Sequence, residues 1–296
     1  AISWLAYRLT NSPFMLGCVG FASQVPSLFL APVAGVVADR FDRRKLLMGA
    51  QALSMLQASV LTVLVFTGMV TIVHILFLSL FLGIINAFEM TIRQSFQIEL
   101  LDDKKDLSNA IALNSMMFNG SRLAGPAIAG ILIVSFGEGS CFLINACSYA
   151  AVLIALAFVS TAPRTVQRAS AMDIGREFLE GVRYATGFLP IRLLLVMVAL
   201  FSVVGTALQT LLPVFVKDIF HGGPRMFGSL LTISGMGAVI GTIYLARKRT
   251  IAGFVEKIVL ALAVMGLALA VFAVTQAYWV ASVASFMIGL TMMVGI

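Results

Sequence analysis

Charged side chains inside long apolar runs are the first places to look for chemistry. Glu89 stands in such a run, with Arg93 four residues further on, and Arg122 lies near the middle of another. A charge in an apolar medium is costly, so it is expected to pair, to line a wet cavity or to act. A buried carboxyl such as Glu89 can take up and release a proton. It can instead pair with Arg93, its neighbour at i+4 on one helix face, or with Arg122. Arg122 has three readings: partner of Glu89, contact for an anionic ligand, or brace of its own bundle. Asn114, Phe118, Ser121, Arg122 and Gly125 share a helical face that is expected to look into a cavity. Gln24, Asn86 and Gln209 are weaker cavity candidates. Met116 and Met117 offer an adaptable apolar wall or ordinary packing. Gly125, Pro126 and Gly130 are expected to bend one helix and pack it tightly. A short turn, Gly35 to Lys45, gathers Asp39, Arg40, Arg43 and Arg44. There Gly35 would let a neighbouring helix approach, and Asp39 would pair with a cation or cap a helix N-terminus.

Other chemistries find no support. His74 and His221 are far apart, and Cys18, Cys141 and Cys147 lie in apolar runs without metal or disulfide spacing. The run Gly235 to Gly241 imitates a dinucleotide fingerprint, but its spacing is one residue off and no strand precedes it. It reads as close-packing glycine. With no phosphate loop or catalytic cluster, neither a cofactor nor an enzyme is expected.

Composition explains what must position these residues. Of 296 residues, 60% are hydrophobic and 11% charged, against about 25% charged in ordinary soluble domains. Mean hydropathy is +1.03. The apolar runs are continuous rather than alternating, so the spans are helices and not barrel strands. Residues 1–10 make half a span, helix 1. Helices 2 to 10 follow at residues 14–38, 46–66, 71–93, 107–135, 139–159, 193–216, 226–246, 252–274 and 277–296, each of about the 20 residues needed to cross about 30 Å of hydrocarbon. The fold class is therefore all-α, a polytopic membrane protein. The truncated first helix and the apolar end at Ile296 predict a fragment.

Lysines and arginines orient it. Sixteen of the 20 fall on one side. They are Arg40, Arg43, Arg44 and Lys45; Arg93, Lys104 and Lys105; Arg164, Arg168, Arg176, Arg183 and Arg192; and Arg247, Lys248, Arg249 and Lys257. Arg8, Lys217 and Arg225 lie on the other, and Arg122 is within a span. The first side is expected to be cytoplasmic, with the N-terminus inside. The net charge of +7 is this excess and not a nucleic-acid footprint. The long connection carries Ile174, Phe178 and Val182 at helical spacing, which predicts an amphipathic interfacial helix. It divides the chain into an N-terminal six-helix bundle (1–160), a linker (161–192) and a partial C-terminal bundle (193–296). Pro13-Phe14-Met15-Leu16-Gly17 and Pro224-Arg225-Met226-Phe227-Gly228 open corresponding helices, which suggests a parallel repeat.

The turn Gly35-Val36-Val37-Ala38-Asp39-Arg40-Phe41-Asp42-Arg43-Arg44-Lys45 resembles the helix 2–3 signature of the major facilitator superfamily, with Asp42 where many members carry glycine. Gly125-Pro126 and Gly130 resemble the helix-5 motif of its proton-coupled exporters. Ser3 to Pro13, Asn86 to Glu89, Arg93-Gln94 and Asn109 to Ser115 resemble the bacterial branch that includes the enterobactin exporter and macrolide efflux proteins. The resemblance implies a 6+6 helix bundle, here truncated to about ten helices, lacking helices 11 and 12. It also implies a substrate site between two rocking halves. It further implies efflux of drug-like or siderophore-like small molecules from the inner membrane, driven by protons. Gly35, Asp39, Arg40, Arg43 and Arg44 would form the gate, and Glu89 would carry the proton. Small molecule, proton and bilayer are the expected partners of a monomer. A lipid flippase of the same fold and a non-transporting membrane sensor are the alternatives.

Overall fold

Nearly every residue described in the computed structural model is α-helical, and no strand occurs among them. The described residues are 1–99, 107–159, 183–184, 187–246 and 254–295. The helices are α1 (Ile2–Thr10), α2 (Pro13–Arg40), α3 (Arg43–Phe66), α4 (Ile72–Glu99), α7 (Leu189–Val214), α8 (Pro224–Ala246), α9 (Phe254–Val274) and α10 (Tyr278–Gly295), and α7 ends in a π-turn, Phe215–Ile219. Between α4 and α7, the helical stretch Leu107–Phe158 is two helices, because Gly137 breaks it at φ 78°, ψ 171°. Those angles are essentially open only to glycine. They divide the stretch into α5 (107–136) and α6 (138–158).

Among the described residues six helical stretches are long and apolar enough to cross a membrane, and one of them, Met116–Phe158, is 43 residues long because it includes the Gly137 turn. α9 and α10 are helices of 21 and 18 residues, within the range of roughly 17–25 that a crossing takes. The amphipathic linker helix and the clusters at Lys104-Lys105 and Arg247 to Arg249 lie outside the described residues.

Packing divides the chain into two units: residues 1–110 with 136–188, and residues 111–135 with 189–296. Chain order groups α5 with the helices before it, whereas its packing groups residues 111–135 with α7 to α10.

In the first unit the turns are encoded locally. Asn11 closes α1 in the left-handed region at φ 48°. Ser12 then caps α2 by accepting from the Met15 N–H at 3.4 Å, and Pro13 occupies the first turn, where a missing N–H does no harm. Asp42 caps α3 in the same way, accepting from the Lys45 N–H at 3.2 Å. The departure from the family glycine is thus the residue that starts the next helix. α2 and α4 cross closely: a Cβ on Gly83 would stand 2.6 Å from the Ser23 oxygen. α3 buries a stripe that includes Leu47, Gln51, Ser54, Gln57, Ala58 and Leu61. Gln57 Nε2 donates to the Leu78 oxygen on α4 at 3.4 Å, the kind of interhelical polar contact that joins membrane helices.

In the second unit α8 and α10 meet backbone to backbone. Gly237 packs on the Phe286 carbonyl, Gly289 packs on that of Ser234, and a Cβ on Gly241 would stand 2.6 Å from the Leu290 oxygen. The fingerprint-like glycine run is therefore a packing seam. Ile258, Ala261, Met265 and Ala268 of α9 close the core with Ile288 of α10. Phe272 meets the rings of Phe215 and Phe220 edge-on at 5.1 and 6.1 Å.

Candidate functional site

The turn between α2 and α3 is held by two arginines that point in different directions. Arg43 uses all three guanidinium nitrogens. Nε donates to the Ala38 oxygen at 3.1 Å and Nη2 to Asp39 Oδ1 at 2.9 Å. Nη1 reaches the end of α4, where it donates to the Ser95 oxygen at 3.2 Å and to Glu99 Oε2 at 3.3 Å. Arg44 turns to α6: Nε donates to the Leu156 oxygen at 2.8 Å and Nη2 to the Ala157 oxygen at 2.7 Å. Those are last-turn carbonyls with no helical N–H to accept from, and a cation there also suits the helix dipole. One turn thus clamps the ends of two helices. Beneath it Ala38, Leu47, Ile92 and Phe96 form an apolar floor. The ion-pair partner of Asp39 is Arg43, and Arg40 is the last residue of α2. The helix approach expected at Gly35 is not found among the described residues, since nothing lies within 4 Å of a Cβ built there.

Glu89 lies on α4, one and a half turns before Ser95. Its side chain is mostly buried, and Oε1 stands 3.9 Å from Arg93 Nη1. That contact joins the pair that i+4 spacing places on one face. It is at the outer limit of an ion pair, and Arg93 is half exposed.

Arg122 belongs to the second unit and makes no ion pair among the described residues. Its guanidinium carbon lies 5.8 Å from the Phe118 ring centroid, one turn back, within the range of a cation–π contact. Its backbone is fixed from behind. Pro126 has no N–H to donate to the Arg122 carbonyl, and α8 brings Gly235 against that oxygen, where a Cβ would stand 2.8 Å away. The same two helices touch further along. A Cβ on Gly228 would be 2.7 Å from the Pro126 oxygen, and one on Gly130 would be 3.1 Å from Gly228 Cα. Gly130 thus packs as expected. Gly125 does not, with nothing within 4 Å.

The remaining cavity candidates are divided. Gln24 on α2 and Asn86 on α4 belong to the first unit, and Asn114, Phe118, Ser121 and Gln209 to the second; all six are exposed. Sequence reasoning missed two ion pairs, Arg43 with Glu99 and Arg8 with Glu138. Arg8 Nε lies 3.0 Å from Glu138 Oε1, and the Glu138 side chain is only 10% exposed. This pair ties the end of α1 to the start of α6. The available signal was an acidic residue directly after a glycine within a long apolar run.

Ten apolar helices among the described residues, with an arginine-clamped turn between the second and third and a proline–glycine fifth helix, define a polytopic membrane protein of the major facilitator type. The chain belongs to the transmembrane secretion effector family, whose model matches residues 1–295. It is 29% identical to the staphyloferrin A transporter of Staphylococcus aureus over 90% of this chain and 67% of that protein. It is 24% identical to macrolide efflux protein A of Streptococcus pyogenes, over 83% of this chain and 60% of that one. It is also 24% identical to the multidrug efflux pump Tap of Mycolicibacterium fortuitum, over 84% and 64%. The chain spans about two thirds of the length of these relatives or less. The inward-facing crystal structure of a bacterial homologue of the lysosomal transporter Spinster shares the fold, with a TM-score of 0.64 at 16% identity over 99% of this chain and 71% of that one.

Proposed function

We propose that the protein is a secondary exporter of the bacterial inner membrane, with a cytoplasmic N-terminus. It expels drug-like or siderophore-like molecules by exposing a mid-membrane site to each side in turn, in exchange for protons. The family and its named efflux and siderophore relatives support the class. The geometric observation that carries the mechanism is that α4 bears both Glu89 and the end gripped by Arg43. Protonation of Glu89 removes the charge that Arg93 faces. That change acts on the same stiff helix whose far end is clamped at Ser95 and Glu99. In this reading Asp39, Arg43 and Arg44 form the breakable cytoplasmic latch, and Gly130 and Pro126 supply the close helix contact.

The test is efflux from cells expressing the full-length protein, loaded with amphipathic dyes of either charge. Wild type extrudes at least one dye, and an uncoupler or Glu89→Gln stops it while membrane abundance is unchanged. Export that survives both treatments removes Glu89 and the proton from the mechanism. No export of any dye removes the exporter reading itself.

A further inference from the structure

Arg122 lies 15 residues into α5 and 15 residues before the Gly137 turn. At 1.5 Å per residue it is about 22 Å along the helix from each. The hydrocarbon is about 30 Å thick, and Arg122 lies inside the apolar stretch Met116–Phe158 that is long enough to cross it. Its side chain leans toward the helix start, as helical side chains do, and rests over Phe118. A ring face offsets only part of the penalty for a desolvated cation. α5 carries no carboxylate, and none of the second unit pairs with Arg122 among the described residues.

The base of this side chain is held firmly. Gly235 presses on the Arg122 carbonyl and on Leu123 Cα, at 2.8 and 3.1 Å from the position of a Cβ. Phe118, one turn back on the same face, is 53% exposed. The arrangement is a cation on a closely packed backbone, inside an apolar stretch and beside an exposed ring.

We propose that Arg122 is the anion-binding residue of the transported molecule's site. It takes the carboxylate of an amphipathic organic anion, whose apolar body lies against Phe118. The planar guanidinium fork matches a carboxylate bidentately, and the bound anion supplies the charge that α5 lacks. This inference rests on the exporter reading above and narrows its substrate class.

The test uses two dyes with one ring system and opposite charge: carboxyfluorescein, an anion, and rhodamine 6G, a cation. Both are measured for efflux in cells and for binding to the full-length protein in nanodiscs by anisotropy. Wild type binds and exports carboxyfluorescein in preference. Arg122→Gln weakens its binding by about tenfold or more, the usual effect of losing a charge-assisted bond, and leaves rhodamine 6G unchanged. Arg122→Lys keeps the charge without the fork and retains the anion preference at several-fold lower affinity. Ligand-free Arg122→Gln unfolds at the same temperature as wild type or higher, because a desolvated charge has been removed. A lower unfolding temperature would assign Arg122 to bracing the bundle and overturn the proposal. Anion binding within twofold of wild type in Arg122→Gln would also overturn it. Export of rhodamine 6G alone, insensitive to Arg122, overturns this inference and leaves the exporter standing. Export of neither dye sinks both.

Discussion

Gly235 of α8 packs directly on the backbone carbonyl of Arg122, the one carbonyl of α5 that Pro126 leaves without a helical donor. A proline in a membrane helix exposes a polar oxygen to a medium with nothing to offer it. Here a neighbouring helix covers that oxygen at a residue with no side chain. Weak Cα–H···O contact and close packing then replace the lost bond.

This contact and its neighbour at Gly228 should be sensitive to bulk. Gly228→Val and Gly235→Val each destabilise the purified protein by roughly 1–3 kcal/mol, the range for overpacking a filled interface. Gly125→Ala, with nothing within 4 Å, is neutral or gains up to about 1 kcal/mol, the helix-propensity difference. Thermal unfolding in detergent ranks the three. Equal effects at Gly125 and Gly235 would contradict the seam.

Arg43 and Arg44 should have separable effects. Arg44→Gln removes two charge-assisted bonds to the end of α6. Amide exchange around Leu156 to Phe158 should then quicken by about tenfold or more, with Ser95 to Glu99 unaffected. Arg43→Gln should do the reverse. Exchange mass spectrometry on the two variants decides; loosening of both ends by either variant would mean that the turn acts as one unit.

Asp42 tests the start of α3. Asp42→Ala should lower stability by about 1 kcal/mol, as for other lost N-caps, and Asp42→Gly by only a few tenths. Chemical unfolding of the purified variants measures both. A glycine variant as damaged as the alanine one would show that the carboxylate does more than cap.

Arg8 and Glu138 should be coupled. Arg8→Gln leaves a nearly buried carboxylate without its cation. The double variant with Glu138→Gln should therefore be less destabilised than the two single effects added together, by about 0.5–3 kcal/mol. A double-mutant cycle by thermal unfolding gives this number. Additivity would reduce the pair to a surface contact.

What could be read from the chain followed from local rules. Continuous apolar runs fixed the helical class, and proline, serine and aspartate marked where helices begin. The i+4 spacing already put Glu89 beside Arg93. The pattern Gly125, Pro126 and Gly130 pointed to a special fifth helix but could not say which of its glycines makes the contact. Packing uses Gly130, with Gly228 and Gly235 of α8. No spacing rule could choose, because the partners lie about a hundred residues away.

Sequence alone determined that this is a helical membrane protein, where its charges sit along each span, and which turn concentrates arginine. These are properties of hydropathy and short-range geometry, which each segment carries by itself. Only tertiary structure decided what each charge faces. Arg44 and Leu156 are 112 residues apart in the chain, and their bond exists because helix packing brings a basic turn to a helix end with unsatisfied carbonyls. The same holds for Arg8 with Glu138 and for Gly235 under Arg122. In an apolar medium every polar group needs a partner, and packing supplies it.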